Sequence, residues 1–348
     1  MQPANKSRQY ANANNNANAN NNANGNGNGN GSNQNQIITS NDGIHTLHHH
    51  FFDCQSKPKA TLLIVHGMSE HGGRYDAFAQ FLAEQGIAVA TYDQLGHGKT
   101  ANCQEELGYV HKTYPVQMLL RDVVRMANLL KQRHPQTPHF IMGHSMGSFI
   151  VRQVLSQHSY DFTGAILMGT ADKNPLIKSL VPLFAGLNRL SPKRPCHWAG
   201  NSMNKVLNSK LGNVQSASRF AWVSNNTDNI NAYESDPLCG FNFTHNGFFA
   251  LFKIMDLALN QDWHADIDRH FPLLLVSGKD DPVGNMGKGI DRLQQRLQDN
   301  GFWQINKRLY PNMRHEPLHE QQADMVFNDI AHWITHHALT NHHSFTNQ

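Results

Sequence analysis

The stretch "HFIMGHSMGSFIVRQVL" (139–155) decides the fold of this chain. At its centre lies the pentapeptide "GHSMG" (143–147), a G-x-S-x-G pattern between a strand-like apolar run and an apolar, helix-like stretch. A nucleophile elbow needs this context, because its serine occupies a sharp turn from a strand into a helix. The pentapeptide is short enough to occur by chance, so the rest of the chain has to supply the support.

Apolar runs and helix-like stretches alternate along the chain. The apolar runs are "TLLIVHG" (61–67), "IAVATYD" (87–93), "HFIMGHS" (139–145), "GAILMGT" (164–170) and "PLLLVSG" (272–278). The helix-like stretches between them are 74–86, 115–134 and 148–158. Short, continuously apolar runs are typical of parallel strands buried on both faces. The pattern therefore predicts an α/β fold, a mostly parallel sheet flanked by helices, completed by a strand at 306–310 and a helix from about Gln321 to His336.

Residues 172–268 interrupt this alternation. They separate two predicted strands by far more than a normal crossover and contain helix-like pieces at 179–190 and 248–259. We therefore predict an inserted, mainly helical cap over the carboxyl edge of the sheet, where open α/β folds bind their ligands. The core of the fold then comprises residues 39–171 and 269–340.

The N-terminal segment, residues 1–38, has a different composition. Residues 11–36 are almost entirely Asn, Gly and Ala. Such a segment has too little apolar surface to offset the entropy lost on ordering, so we predict a disordered Asn/Gly-rich arm. An inert extension is favoured over a self-associating tail, although Asn-rich segments can form β-aggregates.

Bulk composition excludes several classes of protein. The formal charge is +3 and the charged residues are mixed, which argues against a nucleic-acid partner. Four scattered cysteines, with no signal peptide and no long apolar span, predict a soluble cytoplasmic protein. The 23 histidines, including His48, His49, His50, His336, His337, His342 and His343, show no spacing of a ligand set. We therefore predict no metal site.

Candidate partners for Ser145 follow later strands. A serine hydroxyl needs a base, and the base needs an orienting acid. Asp281, in "SGKDDPVG" (277–284), is favoured as the acid over its neighbour Asp280, and over Asp93, which we expect to brace the turn after its own strand. His315, in "LYPNMRHEPLHE" (309–320), is favoured as the base over His319. The chain order Ser, Asp, His is that of the α/β-hydrolases.

Two backbone N–H groups are candidates for an oxyanion hole. Met146 directly follows the nucleophile, and Met68 lies in the loop "VHGMSEHGGRY" (65–75), which we call the oxyanion loop. Glu70 and Arg74 in the same loop are candidate substrate-binding residues near the leaving alcohol. The alternative for them is a surface ion pair that contributes at most about 1 kcal/mol.

Six ordered motifs carry a resemblance to a known family: "HGMSEHGGRY", "YDQLGHGKT", "GHSMGS", "YESDPLCGF", "SGKDDPVG" and "YPNMRHE". The chain resembles the monoacylglycerol lipase and lysophospholipase-like family of α/β-hydrolases from about residue 40 to 338. The resemblance assigns the nucleophile, acid and base to Ser145, Asp281 and His315, and the oxyanion donors to Met68 and Met146. Ser148 and Gly72 depart from the commoner family pattern outside the triad.

The resemblance implies a carboxylic ester hydrolase that needs no cofactor and takes a small lipid ester such as a monoacylglycerol or lysophospholipid. An apolar cap suits an acyl chain and allows transient contact with a membrane surface. Two alternatives stay open: the same triad acting on a peptide or C–C bond, and a hydrolase fold that only binds a ligand. The sequence carries no signal for an oligomeric state.

Overall fold

Seven strands in the described part of the chain form one sheet in a computed structural model, which describes residues 36–212 and 218–345. The predicted N-terminal arm lies outside these residues, apart from its last three. The strands are β1 His49–Phe52, β2 Ala60–Val65, β3 Ile87–Tyr92, β4 His139–His144, β5 Gly164–Met168, β6 Leu273–Gly278 and β7 Ile305–Tyr310. Their order across the sheet is β1-β3-β2-β4-β5-β6-β7. Only β1 is antiparallel to its neighbour, so the predicted mostly parallel sheet is confirmed.

Both faces of the central strands are buried, which explains their unbroken apolar sequences. Successive side chains of a strand point to opposite faces. In β2, Leu63 and Val65 belong to one apolar cluster, while Leu62 and Ile64 belong to another on the opposite face. An alternating polar residue would be desolvated on either face, so the strands contain almost none.

Helices cover both faces of the sheet. They are α1 Asp76–Glu84, α2 Pro115–Arg133, α3 Met146–His158, α4 Leu176–Leu190, α5 His197–Ser209, α6 Thr227–Ser235, α7 His245–Asn260, α8 Lys288–Asp299 and α9 Ala323–Phe345. Helices α1 and α9 supply apolar side chains to one face, and α2, α3 and α8 to the other. None of the described helices is both long and apolar enough to cross a membrane.

Helix α9 is longer than the sequence predicted. It continues to Phe345, past the predicted end near His336. The polar stretch after His336 suggested an end, but it contains no Gly or Pro to stop a helix. Ala338 in this extension is buried, so the helix keeps an apolar contact there.

The segment predicted as the cap, residues 172–268, holds helices α4 to α7. Helix α7 packs against both α3 and α4, so it joins the cap to the helix that follows Ser145. The carboxyl ends of β2, β4, β6 and β7 meet at one edge of the sheet, because these strands are parallel. The predicted site residues all follow those ends.

Candidate active site

Ser145 occupies a strained turn between β4 and α3. Its backbone has φ 52° and ψ −119°, a region that side-chain-bearing residues rarely adopt. A Cβ on Gly147 would lie 2.0 Å from the carbonyl oxygen of Val65, and one on Gly143 would lie 2.3 Å from the oxygen of Gly147. Both glycines are therefore required sterically, and together with the positive φ they give the geometry of a nucleophile elbow.

Asp281 and His315 lie together at the ends of β6 and β7. Nδ1 of His315 is 3.1 Å from each carboxylate oxygen of Asp281. The carboxylate is fully buried and also accepts hydrogen bonds from Ser277 Oγ and Val283 N–H. Burial alone would raise the pKa of Asp281, but the charge of His315 and these hydrogen bonds hold it below its ordinary value.

The tautomer of His315 follows from this contact. An ionised carboxylate can only accept, so Nδ1 must carry the proton that it donates to Asp281. In a neutral imidazole Nε2 is then unprotonated, and this atom is buried without a hydrogen-bond partner among the described residues. His315 and Ser145 line the same cavity. A general base needs this arrangement.

The three alternative residues lie elsewhere. The backbone N–H of Asp280 donates to Met313, and its carboxylate makes no contact with His315 in the part of the chain that the structure describes. Asp93 accepts hydrogen bonds from the backbone N–H groups of Gly72 and Lys99, so it braces the turn after β3. His319 Nε2 donates to the carbonyl of Arg74.

Met68 and Met146 both line the cavity beside Ser145. Met146 is the first residue of α3, where a backbone N–H has no acceptor within the helix. Met68 follows Gly67, whose N–H is held by the Glu70 carboxylate. Both residues therefore lie next to the nucleophile, and their N–H groups remain the candidate donors of an oxyanion hole.

Contacts from the cap hold the oxyanion loop. The Oγ of Ser69 donates to the carbonyl of Phe241 at 2.8 Å. The carbonyl of Ser69 accepts from the Tyr233 hydroxyl at 2.8 Å and from the Gly240 N–H at 2.9 Å. Ser69 itself has a φ of 55°. Sequence reasoning missed these contacts, because nothing in the loop indicates which distant segment binds it.

A buried layer of charges lies beneath the elbow. Glu70 is 2% exposed and accepts from the hydroxyl of Tyr75 and from Nδ1 of His144. Nε2 of His144 lies 3.1 Å from the carbonyl oxygen of His315. Both ring nitrogens of His144 therefore face acceptors, an arrangement that favours the doubly protonated imidazolium. Burial would lower its pKa, but the charge of Glu70 raises it above the ordinary value.

Arg74 completes this layer. Its guanidinium donates to both carboxylate oxygens of Glu316, to Glu70 and to Asn229. Of the two candidate substrate-binding residues, Glu70 lines the cavity and Arg74 does not. The alternative of a surface ion pair is wrong, because both side chains are buried. His144 and Glu316 were not predicted, although each adjoins a triad candidate in sequence.

We expect Arg74→Met to lower the free energy of unfolding by about 3–5 kcal/mol, because the buried Glu316 carboxylate loses its guanidinium partner. Urea unfolding followed by circular dichroism measures this. Arg133→Met is the matched control, since Arg133 pairs with Asp53 near the surface and should cost less than about 1 kcal/mol. Equal losses in the two variants would contradict the buried role of Arg74.

The cavity above Ser145 has about 860 Å³ of empty space, including its open mouth. Glu70, His144, Ser145, His315 and Glu316 give it a polar base. Most of its other lining is apolar and comes from α3 and the cap: Phe149, Met203, Phe220, Trp222, Phe241, Leu251 and Met255. The cavity is therefore amphipathic, with the reactive groups at its polar end.

A strained serine between β4 and α3, a buried Asp–His pair at the ends of β6 and β7, and a helical cap define an α/β-hydrolase. Residues 56–322 match the family described as serine aminopeptidase, S33, and the chain belongs to that family.

Curated relatives agree with this class. The chain is 28% identical to a monoglyceride lipase of Rattus norvegicus over 284 residues, which are 80% of this chain and 83% of that protein. It is 30% identical to a monoglyceride lipase homolog of Monkeypox virus, over 80% of this chain and 90% of that protein. The predicted likeness to monoacylglycerol lipases and the prediction of a carboxylic ester hydrolase are confirmed.

Solved structures agree with the fold. A carboxyl esterase from Bacillus coagulans superposes with a TM-score of 0.79 at 24% identity, covering 87% of this chain and 98% of that one. A monoglyceride lipase from Saccharomyces cerevisiae gives a TM-score of 0.67 at 18% identity, covering 87% and 94%. The predicted α/β-hydrolase fold is confirmed.

Proposed function

We propose that the protein hydrolyses monoacylglycerols through an acyl-enzyme on Ser145. The observation that carries the proposal is the amphipathic cavity, whose apolar walls accept an acyl chain while its polar base receives the ester and the small alcohol. The names of the relatives support the same substrate class.

In the first half-reaction, His315 Nε2 takes the proton of Ser145 Oγ as Oγ attacks the ester carbonyl carbon. The N–H groups of Met68 and Met146 donate to the oxyanion that develops there. When the C–O bond of the ester breaks, His315 gives its proton to the leaving alcohol. Asp281 stabilises the imidazolium between these steps.

In the second half-reaction, a water molecule attacks the acyl group on Ser145 and His315 accepts its proton. Collapse of the second tetrahedral intermediate releases the fatty acid and returns the proton to Ser145. The reaction consumes one water and needs no cofactor, as the sequence predicts. We propose that Glu70, which lines the base of the cavity, accepts a further hydrogen bond from a hydroxyl of the alcohol.

A lysophospholipid is the second candidate substrate. A polar groove on the cap meets the cavity at Asn204 and Arg219 and is lined further by Asn201, Lys205, Asn208 and Ser209. Lys205 and Arg219 are cationic, and no carboxylate is among the described residues that line the groove, so the groove suits a phosphate group. This groove is the observation that makes a lysophospholipid the second candidate.

A panel of substrates tests the proposal. We expect the highest kcat/KM on monoacylglycerols, lower values on lysophospholipids of the same acyl chain, and none above background on aminoacyl p-nitroanilides. Rates are measured by titrating released acid or nitroaniline, with Ser145→Ala as the blank. Faster cleavage of the anilides would favour the peptidase alternative, and no turnover of any substrate would favour the ligand-binding alternative.

The cap also supports the predicted contact with a membrane surface. Leu176, Leu183 and Leu190 are 75%, 48% and 82% exposed, and their spacing of seven places them on one side of α4. Trp198 and Val206 on α5 are also exposed. In the substrate panel, Leu183→Ser should lower turnover of vesicle-borne monoacylglycerol but not of a water-soluble ester. Equal rates on vesicles for the variant and the wild type would contradict the contact.

We further propose a cytoplasmic location. Cys54, Cys103, Cys196 and Cys239 are all free thiols, which suits a reducing compartment. Fractionation of cells that express the untagged protein tests this, and recovery in a secreted or organellar fraction would overturn it.

A further inference from the structure

His71, Asp236 and Cys239 form a cluster where the oxyanion loop meets the cap. Nε2 of His71 lies 2.9 Å from Oδ2 of Asp236, and one ligand atom from each of the three residues lies within 4.8 Å of the other two. No other group of three His, Cys, Asp or Glu side chains converges this closely among the described side chains of residues 36–212 and 218–340. The triad does not use any of these side chains.

We propose that His71, Asp236 and Cys239 bind a zinc ion. Imidazole nitrogen, carboxylate oxygen and thiolate sulfur are the donors that zinc takes, at about 2.0–2.3 Å from the metal. A tetrahedral site therefore needs its ligand atoms roughly 3.3–3.8 Å apart. The cluster reaches that spacing through small side-chain rotations, since all its ligand atoms already lie within 4.8 Å of one another. The fourth ligand is water.

Access and charge both suit a cation here. The side chains of His71 and Asp236 are 18% and 30% exposed, so the cluster opens to solvent. The Asp236 carboxylate accepts hydrogen bonds from His71 and from the Leu238 N–H, and a carboxylate is a ligand that zinc takes. The charge of nearby Arg74 is offset by its ion pairs with Glu70 and Glu316.

The thiol is the group that changes on binding. The side chain of Cys239 is buried, where a thiolate is costly without a positive charge beside it. Zinc replaces its proton: the S–H bond breaks, a Zn–S bond forms and the proton leaves to solvent. The metal then supplies the positive charge that a buried thiolate requires.

Zinc would add a cross-link between two segments of the site. His71 belongs to the loop that carries Met68, whereas Asp236 and Cys239 belong to the cap. Zinc at about 100 times its dissociation constant should therefore raise Tm by about 5 °C. The sequence predicted no metal, because the ligands come from positions 71 and 236–239 and have no local spacing pattern.

The test uses the full chain without a histidine tag, freed of metal by a chelator. Equilibrium dialysis against micromolar Zn²⁺ should give one tightly bound equivalent, and Co²⁺ should produce a thiolate-to-cobalt charge-transfer band. Cys239→Ala and His71→Ala should each weaken zinc binding by about 100-fold or more, and Cys239→Ala should abolish the cobalt band.

Cys196→Ala is the matched control, because Cys196 is also a buried cap thiol and lies outside the cluster. It should keep the full zinc affinity and the cobalt band. Unchanged zinc binding in Cys239→Ala would overturn the proposal. So would a wild-type protein without the cobalt band, a result that does not depend on the folding of any variant.

Discussion

Ser145→Ala should abolish covalent labelling by a fluorophosphonate probe and lower kcat on esters by about 10⁶-fold, the size of effect that follows loss of an activated nucleophile. The reason lies in the elbow, where the positive φ of Ser145 holds its side chain at the edge of the cavity shared with His315. Labelling is measured by gel fluorescence or mass spectrometry, and kcat on one soluble ester.

Ser148→Ala is the control for this result. Ser148 lies in the first turn of α3, where its hydroxyl oxygen is 2.6 Å from Ser145 O and 2.8 Å from Thr170 Oγ1. This variant removes a nearby serine hydroxyl but keeps the elbow glycines, so it should still label with one probe per chain. Labelling of Ser145→Ala to the wild-type extent would show that another residue is the nucleophile.

The central strands of this protein could be predicted because they are buried on both faces. Each of the five apolar runs overlaps one of the strands β2 to β6, and the strand predicted at 306–310 corresponds to β7. Gly143 and Gly147 were also informative, since the crowded backbone around each excludes any side chain. These signals are local, so a single sequence contains them.

Other parts of the site depend on contacts between distant segments. Ser69 forms a hydrogen bond with Phe241, which lies 172 positions later in the sequence, and Arg74 forms one with Glu316, which lies 242 positions later. Nothing in the composition of the oxyanion loop identifies these partners. For the same reason the exposure of Arg74 could not be decided, since an Arg four residues after a Glu is equally typical of a solvated surface. The burial of Arg74 depends on the cap and on the loop after β7.

The sequence favours Asp281 over its neighbour Asp280 as the acid. The geometry gives a reason to expect that substitution of the two residues has very different effects on kcat. Asp281 is fully buried, contacts His315 Nδ1 through both oxygens and is itself held by Ser277 and Val283. Asp280 is partly exposed, and its backbone N–H donates to the carbonyl oxygen of Met313 within the turn. Of these two neighbours, only Asp281 has its carboxylate within hydrogen-bonding distance of the His315 imidazole.

Asp281→Asn should therefore lower kcat by about 10⁴-fold, because an amide can donate to Nδ1 and so favour the tautomer whose Nε2 is protonated and cannot act as the base. Asp280→Asn should lower kcat by less than about tenfold, because it affects only the stability of the turn, by about 1 kcal/mol. Both variants are measured on one ester, with folding checked by circular dichroism. A larger loss of kcat in Asp280→Asn than in Asp281→Asn would show that Asp280 is the acid. The proposed roles of Ser145 and His315 would stand, because they do not depend on which of the two carboxylates orients the imidazole.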